Sequence, residues 1–315
     1  MPGVWADHMA GPTGVVGRHL ADRPPIGDDP VPNVAPAEVA VPANPSHVRV
    51  PVTGGDLTVA VWGDLAAGPP VLAIHGITAS SMAWVEVAGR LERPVVAPDL
   101  RGRGGSGGLP GPYGMAAHAE DCVAVLDALG VDAATVVGHS MGGFVASVLT
   151  HRHPDRVARL VLVDGGAPLA PVDDPDEGLG PAARRLRMRF PSKESYRDFW
   201  RAHPAFADWS PAIEAYVDYD LTGAGDQLRS RVSEEAMRSD FADLHTGAAG
   251  RAAFAALPAG TPFLRAERGM FDEPTPLYPD PDQLAGLAVK TIPGTNHYTI
   301  LFGDAGAAAV VAELA

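Results

Sequence analysis

Short, continuously apolar runs recur along the chain, separated by stretches of helical pattern. The runs are "VLAIH" (71–75), "PVVAPD" (94–99), "ATVVG" (134–138), "ARLVLVD" (158–164), "PFLRA" (262–266) and "AVKTI" (288–292). A strand with one face in water alternates apolar and polar residues. A strand that is apolar throughout is buried on both faces, which happens where helices cover both sides of a parallel sheet. Helical patterns at 81–91, 114–129, 141–152 and 304–315 supply such helices. Ahead of them, "VRVPVT" and "LTVAVWG", joined by "GGD", read as two strands and a turn. The expected class is α/β, with a mostly parallel central sheet and helices on both faces.

One gap in this alternation is too long for a simple crossover. Between the strands at 158–164 and 262–266, helical patterns fall near 180–190, 192–203, 211–220 and 233–245, with Ser192 and Ser233 as candidate N-caps. This predicts a helical cap inserted at 167–250 into a core formed by 47–166 and 251–315. Nine of the chain's twenty aromatic residues lie in the insertion (Phe190, Tyr196, Phe199, Trp200, Phe206, Trp209, Tyr216, Tyr219 and Phe241). Some must pack the insertion's own core, and the number also suits an apolar pocket lining. Residues 1–46 are rich in Pro, Gly and Ala without a sustained period, and read as an extended or partly ordered N-terminal arm.

With 46% apolar residues the chain can bury a substantial core. Its net charge of −14 makes nucleic acid and anionic membranes poor partners. No apolar run reaches membrane-spanning length, and the N-terminus lacks a basic start followed by an apolar stretch, so a cytoplasmic location is expected. The single cysteine, Cys122, excludes an intrachain disulfide and sits in a helical pattern as a buried structural residue. The pair His151 and His153 lacks the carboxylate or cysteine cluster of a metal site, so no metal is expected.

The local sequence with the most chemical content is "VVGHSMGG" (136–143). Its "GHSMG" fits G-x-S-x-G, a weak pattern alone, but it follows the strand "ATVV" directly and opens the helix "FVASVLTHR". A strand-to-helix turn this tight strains its central residue, and Gly138 and Gly142 remove side chains that would clash across it. Ser140 is thereby presented at a helix N-terminus, where free N–H groups favour developing negative charge.

Taken together, "HGITASSMAW" (75–84), "PDLRGRGGS" (98–106), "GHSMGG" (138–143) and "NHYTI" (296–300) resemble, in order and spacing, the α/β-hydrolase superfamily over residues 50–315. The resemblance implies Ser140 as nucleophile, His297 as base, and an oxyanion hole formed by the backbone N–H groups of Ile77 and Met141. His75 is expected to organise its loop, and His139 to pack or bond locally. Gly76, Trp84, Trp200 and Trp209 are candidate substrate-binding residues.

The acid behind His297 departs from the usual pattern. The common station is a loop aspartate after the strand that follows the cap; here that loop reads "LRAERGMFDE", with Gly269 at the expected place. Asp164, ending "LVLVD", offers another station that resembles some branches of the superfamily. The acid is assigned to Asp164, with Glu267 and Asp272 as alternatives. Asp99 and Arg101 resemble a structural ion-pair loop. The glycines that follow are not a phosphate cradle, since no Lys-Ser/Thr closes them, and no cofactor is expected.

The expected activity is serine-dependent cleavage of an apolar ester or lactone through an acyl-enzyme. Rivals on the same fold are a carbon–carbon bond hydrolase, an aminopeptidase and a cofactor-free peroxidase-like activity. A non-catalytic small-molecule receptor is the rival of another class. Oligomeric state is left open.

Overall fold

The computed structural model describes residues 44–169 and 175–315. The expected N-terminal arm therefore lies outside the described residues up to position 43, and part of the expected cap, 170–174, does as well.

Eight strands form one sheet in the order β1 (Ser46–Val52), β2 (Gly55–Trp62), β4 (Val95–Pro98), β3 (Val71–Ile74), β5 (Ala134–His139), β6 (Val157–Val163), β9 (Pro262–Ala266) and β10 (Ala288–Ile292). The pairings β1/β2 and β2/β4 are antiparallel and all others are parallel. The central strands show why they are apolar throughout. Val71, Ala73, Val137, Val161 and Val163 belong to the core on one face, whereas Leu72, Ile74, Val136, Leu160 and Leu162 belong to the core on the other. Successive side chains point to opposite faces, so two apolar faces require every residue to be apolar.

Helices α1 (Val85–Arg90) and α10 (Asp304–Leu314) contribute to the first core; α2 (Met115–Ala128) and α3 (Met141–Arg152) contribute to the second. The pattern at 81–91 divides into a 3₁₀ turn, Ser81–Trp84, and α1. The N–H of Ser81 is held by Asp99 Oδ1 at 2.8 Å, which ties the start of this segment to the loop after β4. The C-terminal helix is preceded by a separate turn of helix, α9 (Thr299–Phe302).

Between β6 and β9 lie α4 (Pro175–Arg187), α5 (Lys193–Arg201), α6 (Pro211–Asp220), α7 (Glu234–Thr246) and α8 (Ala248–Ala255), with a two-stranded ribbon, β7 (Leu221–Thr222) and β8 (Arg229–Ser230). Ser192 and Ser233 cap α5 and α7 through bonds from Ser195 N (3.1 Å) and Ala236 N (3.3 Å). Helix α8 and the ribbon were not anticipated. The α8 sequence, "AAGRAAFA", starts without a capping side chain, and two-residue strands are too short to show a period.

Helix α7 also closes an end that α2 leaves open. The N-cap of α2 is Gly114, which has no side chain to offer. Asp240 Oδ1 and Asp243 Oδ2 of α7 accept the N–H groups of Gly114 and Met115 at 2.6 and 2.7 Å. Carboxylates at a helix N-terminus satisfy its orphan donors and complement its dipole. Among the described residues no helix is long and apolar enough to cross a membrane.

Candidate active site

Ser140 occupies the single residue between β5 and α3. Its φ of 55° and ψ of −124° lie outside the regions an L-residue prefers. Such backbone costs about 1–3 kcal/mol and persists where the surroundings enforce it. Those surroundings are closely packed. A Cβ at Gly142 would lie 2.0 Å from the carbonyl oxygen of Ile74, and one at Gly138 would lie 2.2 Å from that of Gly142. Ser140 N donates to Val163 O at 3.1 Å, which docks the turn onto β6.

The segment leaving β3 passes beside the serine: a Cβ on Gly76 would stand 3.1 Å from Ser140 Cβ and 3.5 Å from its Oγ. Met141 is the first residue of α3, so its N–H has no acceptor within the helix. Ile77 follows Gly76, and its side chain packs against both the α2/α3 core and an insertion cluster of Leu179, Ala183, Leu186, Val232 and Met237.

His297, in the loop after β10, directs Nδ1 at Asp164 Oδ2 at 2.7 Å, with both side chains buried. Donation from Nδ1–H to the carboxylate leaves Nε2 as the proton-accepting nitrogen. Asp164 itself sits at φ 45°, directly after β6. Its N–H donates to Leu264 O at 2.8 Å, and its Oδ1 accepts from Ala266 N at 3.1 Å. Neither alternative carboxylate meets the histidine. Glu267 Oε2 accepts from Gly294 N at 2.8 Å, and Asp272 Oδ1 accepts from Arg268 Nε at 2.8 Å and Asn296 Nδ2 at 3.2 Å. The loop carrying Gly269 does reach the histidine, since His297 N donates to Gly269 O at 3.4 Å, but it brings no acid there.

Two further histidines hold backbone in place. His75 Nδ1 donates to Gly76 O at 2.8 Å, while its Nε2 accepts from Leu100 N at 3.0 Å. Burial lowers its pKa to about 3, so it stays neutral with this tautomer. The Gly76 carbonyl belongs to the same peptide plane as the Ile77 N–H. In a trans peptide the two point in opposite directions, so His75 aims that N–H. His139 Nε2 donates to His297 O at 2.9 Å, and burial pushes its pKa well down.

His203 is a third neutral, buried histidine, with its pKa lowered to about 3, first by burial and then by Arg185. Its Nδ1 accepts from Ala205 N at 3.1 Å and its ring stacks on Phe271. Below pH 6.5 the unfolded chain protonates this group, whereas the folded chain resists until about pH 3. Stability is therefore lost as pH falls through that window, and the loss reaches about 2 kcal/mol by pH 5. His203→Asn, which preserves an acceptor for Ala205, is expected to flatten the pH dependence of the urea midpoint between pH 7.5 and 5. An unchanged slope would reject this assignment.

The three tryptophans named as substrate-binding candidates all make contacts within the protein. Trp84 is fully buried in the core beside α1 and α10. Trp200 is 3% exposed, packs edge-on against Tyr196 and Phe206, and lies under Arg185. Trp209 lies under Arg201 and donates from Nε1 to Glu214 at 3.3 Å, among exposed charged residues. Tyr196 and Trp200 of α5 join the same core as Trp84 and one face of the central sheet. Asp99 and Arg101 both hold structure, each through partners other than the other. Asp99 accepts from Ser81 N, Gly105 N and Tyr219 Oη, while Arg101 forms a two-pronged pair with Asp121. Cys122 is buried, and burial pushes its thiol pKa up, away from reactivity.

Arg103, His118 and Asp240, which no motif in the sequence marks as a group, form a buried ionic cluster between the loop after β4, α2 and α7. One signal was available. Asp240 stands three residues from Met237 in "AMRSDFADL", a carboxylate on a helix's apolar stripe. Among the described residues no group of His, Cys, Asp and Glu is arranged to hold a metal ion.

A family described as alpha/beta hydrolase fold matches residues 69–217. The chain is 30% identical over 183 residues to 2-hydroxymuconate semialdehyde hydrolase of Pseudomonas putida, covering 56% of this chain and 58% of the relative. It is 43% identical over 111 residues to the lipase LipV of Mycobacterium tuberculosis, covering 35% of this chain and 41% of the relative. The chain thus spans less than two thirds of the curated relatives it matches, and as little as 30% of some. Among solved structures, E-2-(acetamidomethylene)succinate hydrolase superposes with a TM-score of 0.68 at 22% identity, covering 85% of this chain and 98% of that one.

Proposed function

We propose that the chain is a serine hydrolase of the α/β-hydrolase superfamily, cleaving a carboxylic ester or lactone of an apolar small molecule. The observation that carries this reading is Ser140 on a strained turn between β5 and α3, in a chain whose buried His297 is oriented by Asp164 at 2.7 Å. In the proposed reaction His297 Nε2 takes the Ser140 proton as Oγ attacks the carbonyl carbon. The N–H groups of Ile77 and Met141 stabilise the oxyanion. His297 then protonates the leaving alkoxide, and afterwards activates the water that releases the acid. Asp164 keeps the proton on Nδ1 and stabilises the imidazolium. No step requires a metal or cofactor.

The likeness to 2-hydroxymuconate semialdehyde hydrolase favours a second reading, hydrolysis of a carbon–carbon bond beside a carbonyl. The test is a fluorophosphonate probe combined with a panel of p-nitrophenyl esters, lactones and vinylogous diketones. The proposal expects stoichiometric labelling of the peptide containing Ser140 and turnover of esters or lactones. Turnover confined to diketones would select the second reading. Absence of both labelling and turnover would point to a binding protein on this fold.

A further inference from the structure

Arg103 is fully buried, and its guanidinium joins three parts of the chain. Nε donates to Ile77 O at 2.9 Å, and Nη1 donates to Arg101 O at 2.8 Å and to Asp240 Oδ2 of α7. Asp240 is buried too. Its Oδ2 meets His118 Nε2 at 3.0 Å and its Oδ1 accepts from Gly114 N at 2.6 Å. Buried ion pairs are costly relative to apolar packing and contribute little net stability, so a specific geometric role is the better account of one at this depth. An apolar side chain could fill the space. It could not bind the carbonyl of Ile77 while held by a carboxylate of the insertion.

The position of Ile77 shows what that bond does. Its N–H belongs to the peptide plane before its Cα, and its carbonyl belongs to the plane after it. His75 fixes the first plane through Gly76 O, and Arg103 fixes the second through Ile77 O. With both planes held, the Ile77 N–H has one direction left. Met237, one turn before Asp240 on α7, lies in the insertion cluster against which the Ile77 side chain packs, so the same helix supports this residue by two routes.

We propose that Arg103, anchored by Asp240, is a positioning residue for the Ile77 oxyanion donor, so that docking of α7 and competence of the oxyanion hole are coupled. The proposal rests on the serine-hydrolase reading above. Loss of an entire oxyanion donor lowers kcat about 10²–10³-fold; displacing one is expected to lower it about 10–100-fold.

The experiment uses the full chain, with active sites titrated by a fluorophosphonate run to completion, so that misfolded protein does not count. For Arg103→Met, kcat per titrated site is expected to fall about 10–100-fold with KM within about threefold, since the lost interaction acts in the transition state. Affinity for a trifluoromethyl ketone, whose serine adduct places an oxyanion in the same hole, is expected to fall in parallel. Asp240→Asn keeps the size of the side chain and an acceptor for Gly114 but turns an amide towards Arg103; it is expected to shift kcat and inhibitor affinity in the same direction by less, and it serves if Arg103→Met does not fold. His118→Ala disturbs the same cluster without touching Ile77, and is expected to lose stability while retaining kcat per site. Wild-type kcat and ketone affinity in both Arg103→Met and Asp240→Asn would overturn the proposal, as would an equal kcat loss in His118→Ala. An active Ser140→Ala enzyme would instead reject the underlying reading.

Discussion

Ser140→Ala is expected to lower ester turnover about a millionfold, the scale on which loss of the nucleophile acts in a serine triad. The variant keeps the proposed oxyanion donors, so residual catalysis is expected to remain above the reaction in water. Its fold should survive. Alanine bears the same Cβ as serine at φ 55°, and the packing of Gly138 and Gly142 that enforces this conformation is untouched. Steady-state turnover with matched circular dichroism and melting curves is the measurement. Activity within tenfold of wild type would remove Ser140 from the reaction and with it the proposed acyl-enzyme.

Asp164→Asn is expected to lower kcat by about 10⁴ with little change in fold. The side chain does two jobs through two oxygens: Oδ1 accepts from Ala266 N and Oδ2 accepts from His297 Nδ1. Asparagine can still accept the Ala266 N–H with its oxygen. Its amide then faces Nδ1 as a donor, which favours the tautomer with the proton on Nε2. That nitrogen can no longer take the serine proton. The signature is a fall in kcat at constant KM, with slower fluorophosphonate labelling of Ser140. Near-normal turnover would move the acid elsewhere, and Glu267→Gln and Asp272→Asn would then be the next variants. Because those two carboxylates are engaged by Gly294, Arg268 and Asn296, their replacement is expected to leave kcat near wild type.

Much of the architecture was legible because parallel strands buried on both faces advertise themselves. The runs at 71–75, 134–138 and 158–164 correspond to β3, β5 and β6 within a residue or two. Serines before α5 and α7 marked those helices by capping chemistry that acts over three residues. Partners stayed hidden where they lay far along the chain. Asp99 and Arg101 are neighbours with opposite charge, yet Tyr219 reaches Asp99 from the insertion, and Asp121 takes Arg101 from α2. The surroundings of Trp200 were hidden for a related reason: an aromatic stripe on α5 reads the same whether it lines a pocket or packs against Phe206 and Tyr216. The Arg103–Asp240 pair spans 137 positions, and only the docking of α7 onto α2 makes it visible.

The sequence by itself determined the strand–turn–helix unit around Ser140, because a turn of one residue between β5 and α3 depends on glycines at fixed short offsets. It also favoured Asp164 as the acid over Glu267 and Asp272, without showing which carboxylate meets His297. Only the tertiary structure brings one of them to that histidine. Asp164 and His297 are 133 positions apart, and they meet because β6 lies between β5 and β9 while a positive φ turns the aspartate towards the loop after β10. Offsets within a turn are written in consecutive residues; a pairing across strands is set by sheet order and register, which emerge only once the whole core has packed.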